Sequence, residues 1–255
     1  MTLKLISLAT DATSAMVGKI LDFKGLDYEV VDAAEEGSAQ QPPARPSARG
    51  SSAVSDAALQ EDKRTLQNEP AKLADAQSYI VQQLPAIIFA DGESVVGEPA
   101  IIARLEAEYP EPTVLPPSHA GLHQILARYF AGELGTAVLR TAMPELLEHY
   151  RAKGPRALAR YVRWVEQRSG AGFCQSALEE TESNRSMVRQ LLAPLESELQ
   201  GRAFLLDRIG LADFALYGQL RSFACDGTLK LPGDFPALRE HFLRVDRITA
   251  HLPAD

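Results

Sequence analysis

The hydrophobic positions divide the chain into an early part with strand-like spacing and a long later part with helical spacing. Residues 3–8 (Leu-Lys-Leu-Ile-Ser-Leu) are rich in aliphatics and alternate, which predicts a short strand. In the polar stretch that follows, Asp11, Thr13 and Ser14 are all suitable N-caps for a helix from about Ala15 to Lys24, and Gly25 is placed to end it. Tyr28 to Val31 predicts a second strand. Strand, helix and strand in such short order form a βαβ unit, whose strands pair in parallel. Leu84-Pro85-Ala86-Ile87-Ile88-Phe89-Ala90 predicts a third strand that begins with a proline. Asp91-Gly92 is a hairpin turn signal, and Ser94-Val95-Val96 is the partner strand. Glu98 opens a helix with Pro99 in its first turn.

Pro110, Pro112, Pro116 and Pro117 read as a linker. From Ser118 onward the pattern is helical, with helices predicted over about 118–134, 137–151, 154–168, 180–200, 211–224 and 235–247. The organisation expected is an α/β domain over 1–109 and an all-α domain over 118–255. The segment at about 33–62 is rich in Ala, Ser, Pro and Gln and poor in large apolar side chains, so a mobile insertion is expected there. A short helix is expected between Asp62 and Val81.

Composition narrows the function classes. A chain of 255 residues with 45% hydrophobic and 24% charged residues is ordinary globular material. Its net charge of -8 argues against nucleic acid or an anionic membrane as a partner. No apolar run is long enough to cross a bilayer, and the N-terminus lacks the pattern of a signal peptide. Cys174 and Cys225 form no CxxC motif, and the five histidines form no metal pattern, so no metal site is expected. His119 and His123 share a helix face but lack a third ligand. These features make the cytoplasm the expected location.

Four motifs together resemble the glutathione transferases. They are Val17 to Glu29, the run Leu84-Pro85-Ala86-Ile87 through Asp91-Gly92 to Glu98-Pro99-Ala100-Ile101, the segment Phe204 to Tyr217 around Gly210-Leu211-Ala212-Asp213, and Phe235-Pro236-Ala237-Leu238. They span nearly the whole chain in the family's order. The resemblance implies a thioredoxin-like N-terminal domain followed by an all-helical domain, with glutathione as co-substrate, a small electrophile as partner and a homodimer. It implies that Asp213 is a capping partner in the helical domain. It implies a cis peptide before Pro85, where a proline at a strand start is otherwise trans. Leu84 would then offer its backbone to the cysteinyl part of glutathione, as in strand addition.

The site residues implied depart from the family's pattern. Gly97 and Glu98 stand where an acidic residue and a serine hold the γ-glutamyl group. A carboxylate at Glu98 would repel the ligand's carboxylate, engage its ammonium, or serve only the helix terminus. Asp11 stands where a serine or cysteine meets the thiol, and an anion there disfavours a thiolate. The alternative role for Asp11 is an N-cap. Thr10, Thr13 and Ser14 are close enough to take over the thiol contact. Arg45, Arg49, Lys63 or Arg64 would suit the glycine carboxylate, or be solvated loop charges. Arg128-Tyr129-Phe130, Tyr161 and Trp164 would line a co-substrate pocket or belong to the core. Two functions follow. One is an enzyme that conjugates or exchanges glutathione on an electrophile. The other is a non-catalytic binding or regulatory protein of the same fold, or one with a different ligand, for which the acidic Asp11 and Glu98 favour a cation.

Overall fold

The protein is described here by a computed structural model that covers residues 2–33 and 84–249. All but the first residue of the predicted insertion, the helix expected between Asp62 and Val81, and Arg45, Arg49, Lys63 and Arg64 lie outside the described residues.

The first half holds strands β1 (Leu3–Ser7) and β2 (Tyr28–Asp32) around helix α1 (Ala12–Lys24), then β3 (Ala86–Ile88), β4 (Ser94–Val96) and α2 (Glu98–Glu108). The sheet order is β2-β1-β3-β4. β1 pairs with β2 in parallel and with β3 antiparallel, which puts Leu5 between Val30 and Ile87. β4 closes the edge antiparallel to β3. Helix α1 ends in a glycine because its terminus needs a left-handed residue: Gly25 has φ 67°, its N–H reaches Asp22 O, and Leu26 N–H reaches Leu21 O.

The second half is helical among the described residues: α3 (Ala120–Tyr129), α4 (Gly135–Ala152), α5 (Pro155–Ser169), α6 (Phe173–Glu179), α7 (Thr181–Leu199), α8 (Leu211–Arg221) and α9 (Pro236–Asp246). The single helix expected over 118–134 is instead interrupted. A π-helical turn, Phe130–Leu134, joins α3 to α4, and Gly132 leaves helical geometry with φ -85° and ψ -108°. Helix α6 is not in the sequence reading, because seven residues after Gly172 are too few to show a period.

The two halves share one continuous core. Phe23 of α1 meets Phe214 of α8 with ring centroids 5.3 Å apart. The helices approach so closely that a β-carbon on Gly218 would strike the Ala12 carbonyl oxygen. Lys24 fixes the proline-rich linker. Its fully buried ammonium pairs with Glu106 at 2.7 Å and donates to the carbonyls of Tyr109 at 2.6 Å and Pro112 at 3.0 Å. Desolvating an ammonium is tolerable because all three of its donors have partners. A buried carboxylate organises the helical half in the same way. Asp213 accepts from the N–H groups of Leu205 (2.9 Å) and Gly210 (3.0 Å), and His241 Nε2 lies 3.0 Å away. No helix among the described residues is long and apolar enough to cross a membrane.

Candidate functional site

The start of α1 opens into a cleft of about 290 Å³ between the two halves. Thr10, Asp11 and Thr13 line it from one side, and Thr136, Leu139, Trp164, Val165, Arg168 and Phe173 are among the residues on the other. The interruption between α3 and α4 shapes this wall, since Ala131 and Gly135 also face the cleft.

Asp11 is the N-cap of α1. Its Oδ2 accepts from Ser14 N–H at 2.8 Å and from Ser14 Oγ at 2.7 Å. Its Oδ1 faces the Arg168 guanidinium at 3.8 Å. Burial pushes the Asp11 carboxyl above the ordinary carboxylate range, opposed first by the Arg168 charge and then by the Ser14 and Thr13 donors. The Ser14 hydroxyl is thus buried and already donating to the cap.

Thr10 is engaged as well, because its Oγ1 lies 2.9 Å from the Tyr150 hydroxyl. The Tyr150 ring stacks on Tyr161 with centroids 4.1 Å apart, and Tyr161 on Trp164 at 6.1 Å. Burial pushes the Tyr150 phenol up to about 12 and Tyr161 well above its ordinary value, so both are neutral donors near pH 7. The Tyr161 hydroxyl and the Trp164 indole N–H are buried, and no hydrogen-bond partner for either is found among the described residues. Thr13 differs from its neighbours. It lines the cleft, and its hydroxyl has no hydrogen bond to the described residues.

On the sheet side, the Leu84–Pro85 peptide is cis and Leu84 is buried. The Leu84 carbonyl oxygen faces Arg168 Nη1 at 3.5 Å. Gly97 N–H donates to the Pro85 carbonyl at 2.9 Å, which ties the α2 entrance to the proline edge.

No family model matches the sequence, and no curated protein does. Solved structures do. A glutathione transferase from Phanerochaete chrysosporium, GSTFuA3, superposes with a TM-score of 0.62 at 16% identity, over 96% of this chain and 96% of that one. A glutathione S-transferase from Rhodospirillum rubrum F11 gives 0.58 at 18% identity, over 96% and 88%. One from Methylobacterium radiotolerans, solved in complex with glutathione sulfonate, gives 0.52 at 19% identity, over 97% and 91%. The chain has the glutathione S-transferase fold. At these identities the likeness establishes the architecture, a thioredoxin-like domain followed by a helical one, and leaves the chemistry to the residues.

Within the glutathione transferase fold, the expected site residues form two groups. Thr10, Asp11 and Ser14 gather at the α1 terminus, and Arg168 links Asp11 to Leu84 beside Pro85. Glu98 is not a lining residue of the cleft. It is half-buried in the first turn of α2, where burial raises its carboxyl above the ordinary range and the Arg128 charge opposes the rise. Gly97, not Glu98, occupies the N-cap position. Of the aromatic candidates, Trp164 lines the cleft, Tyr161 and Phe130 are core, and Tyr129 is exposed. Cys174 is buried. His119 lies 3.7 Å from Asp207, whereas His123 is buried and accepts from Ala212 N–H at 3.2 Å. Arg168 is the residue the sequence reading lacked. It sits in the last turn of an arginine-rich helix, and nothing local marks it off from its solvated neighbours.

Proposed function

We propose that this protein binds glutathione along the Leu84–Pro85 edge and transfers its sulfur to a small electrophile held in the interdomain cleft. One observation carries this reading: the cis-proline edge, the α1 N-terminus and the cleft meet at a single place, with Arg168 reaching all three. The Leu84 backbone suits strand-like pairing with a cysteinyl unit. Thr13 takes the thiol-contact role that the sequence assigned among its neighbours, because the hydroxyls of Thr10 and Ser14 are engaged within the protein. Trp164, Leu139 and Phe173 supply an apolar wall for the electrophile. In the reaction the S–H bond breaks with its proton passing to solvent. The sulfur pair then forms a bond to the electrophilic carbon, and a leaving group departs with its electrons or an activated double bond accepts them. The protein contributes positioning and thiolate stabilisation.

Calorimetric titration of glutathione into the purified protein tests this. Binding at millimolar concentration is expected. Thr13→Ser is expected to keep turnover. Thr13→Val is expected to keep binding and lose about tenfold in turnover, the worth of one hydrogen bond to a charged group. No heat at millimolar glutathione would sink the proposal.

A second reading, a binding protein for another ligand, is favoured by Glu98. A half-buried carboxyl stands where a serine would hold the γ-glutamyl carboxylate. A thermal-shift screen of cationic thiols and amines tests it, and a flat response to all of them removes it. A homodimer is supported by Leu122, Ile125 and Tyr129, three exposed apolar side chains on one face of α3. Sedimentation velocity reads the state directly. Two free cysteines support a reducing, cytoplasmic setting.

A further inference from the structure

Resting on the thiol-binding reading above, we propose that Arg168 is the cation that holds the reactive thiol as a thiolate, and that Asp11 is the tether that aims it. Arg168 belongs to the helical domain, yet its guanidinium stands at the α1 terminus of the other domain. Nη1 lies 3.5 Å from the Leu84 carbonyl oxygen and 3.8 Å from Asp11 Oδ1, and the guanidinium carbon sits 4.8 Å from the centre of the Trp164 ring. Stacking on an indole and an ion pair to a buried carboxylate together fix the plane of the group. Both polar contacts fall on one nitrogen. Nε and Nη2 have no partner among the described residues, so most of the five N–H donors remain open.

The Leu84 carbonyl marks where a cysteinyl peptide pairs with the proline edge. A ligand N–H arriving there takes over the long contact to Arg168. The guanidinium is then left beside the sulfur, together with Thr13 and the positive end of α1. An opposite charge at such range favours a thiolate over a thiol. Arginine does not lose its own proton at working pH, so it acts as a fixed charge and not as a base. The thiol proton leaves to water, the S–H electron pair stays on sulfur, and that pair makes the new bond to carbon.

The same arrangement accounts for an aspartate where a hydroxyl is expected. Asp11 Oδ2 is turned onto Ser14, and Oδ1 is countered by Arg168. Among the described residues, Asp11 at the N-cap of α1 is the ionisable group paired with Arg168. Its charge is felt by Tyr150 of α4 and Tyr161 of α5, Tyr161 is coupled to Cys174 of α6, and Cys174 to Glu166 of α5. Burial raises both phenols and the Cys174 thiol, which keeps them neutral. Glu166 is turned onto Gly172 N–H at 3.2 Å. Asp11 is therefore the anion that opposes the thiolate, and Arg168 is the charge that offsets it.

The test is the ultraviolet absorbance of bound glutathione thiolate, followed against pH in the parent, Arg168→Met and Arg168→Lys, with binding of each measured by calorimetry. Arg168→Met is expected to bind glutathione while its thiolate fraction at neutral pH falls about tenfold, equivalent to one pKa unit. Arg168→Lys is expected to restore most of that fraction, which a merely structural role would not require. Bound glutathione with an unchanged thiol titration in Arg168→Met overturns the proposal and leaves the binding reading intact. A parent protein that gives no heat with glutathione overturns both, and the calorimetry identifies that case.

Discussion

Asp11 and Asp213 are the same residue used in two different ways at helix starts. Both are buried, and both sit in the first turn or cap of a helix that crosses the middle of the molecule. Asp213 is enclosed: two backbone N–H groups and the His241 ring surround its oxygens. Asp11 is enclosed on one side only. Ser14 takes Oδ2, and the remaining oxygen faces a cleft and a charge on the other domain. A carboxylate with both oxygens held by buried groups of the protein holds the fold. One with an oxygen turned to a cavity is available to orient something else.

Asp213 is the position where loss of the carboxylate is most severe. Asp213→Ala leaves the N–H groups of Leu205 and Gly210 and the His241 ring without their acceptor, all buried. Expected is a loss of about 3–5 kcal/mol in urea unfolding, the range for an opened buried network. A loss under about 1 kcal/mol would mean that Asp213 is not the anchor of the helical half.

Asp11→Ala removes an N-cap but leaves no enclosed network behind. The expected loss is about 1–2 kcal/mol by the same measurement, the range for capping residues. A loss equal to that of Asp213→Ala would erase the distinction between the two sites.

Asp11 also makes stability depend on pH. The Asp11 carboxyl is raised in the folded protein, so the folded state binds its proton more tightly than the unfolded chain does. Stability from this group is greatest at acid pH and declines as pH rises from the ordinary carboxylate range through the raised value. Asparagine caps as well as aspartate and does not titrate. The difference in stability between parent and Asp11→Asn should therefore shift against the parent on going from acid to neutral pH. A difference that does not change with pH would place the Asp11 carboxylate in the same environment folded and unfolded.

Arg168→Met is the smallest of the four in stability. The arginine is partly exposed and its ion pair is loose, so a change below about 1 kcal/mol is expected in thermal melts. Its effect belongs to the thiol titration. A large drop in melting temperature would make Arg168 a domain clasp.

Most of the fold was readable from local pattern. The β1-α1-β2 unit, the Asp91-Gly92 hairpin, Gly25 as a helix end and the Gly210–Asp213 helix start all rest on short-range chemistry. Helix α6 and the π turn were not readable, since one is too short to show a period and the other is an interruption inside a continuous helical pattern. At the site, Asp11 was legible as a cap. That Ser14 and Thr10 already have partners was not, because a hydroxyl's partner depends on which side chain packs against it.

Residues a few positions apart are enough to set the order of sheet and helices, the alternating and helical faces, the caps and the proline edge. What those residues do together depends on contacts made across the folded chain. Lys24 finds Tyr109 and Pro112, Thr10 finds Tyr150, and Asp11 and Leu84 find Arg168. These pairings join distant parts of the chain. They are set by how helices dock across a shared core, where close packing fixes each side chain's neighbours.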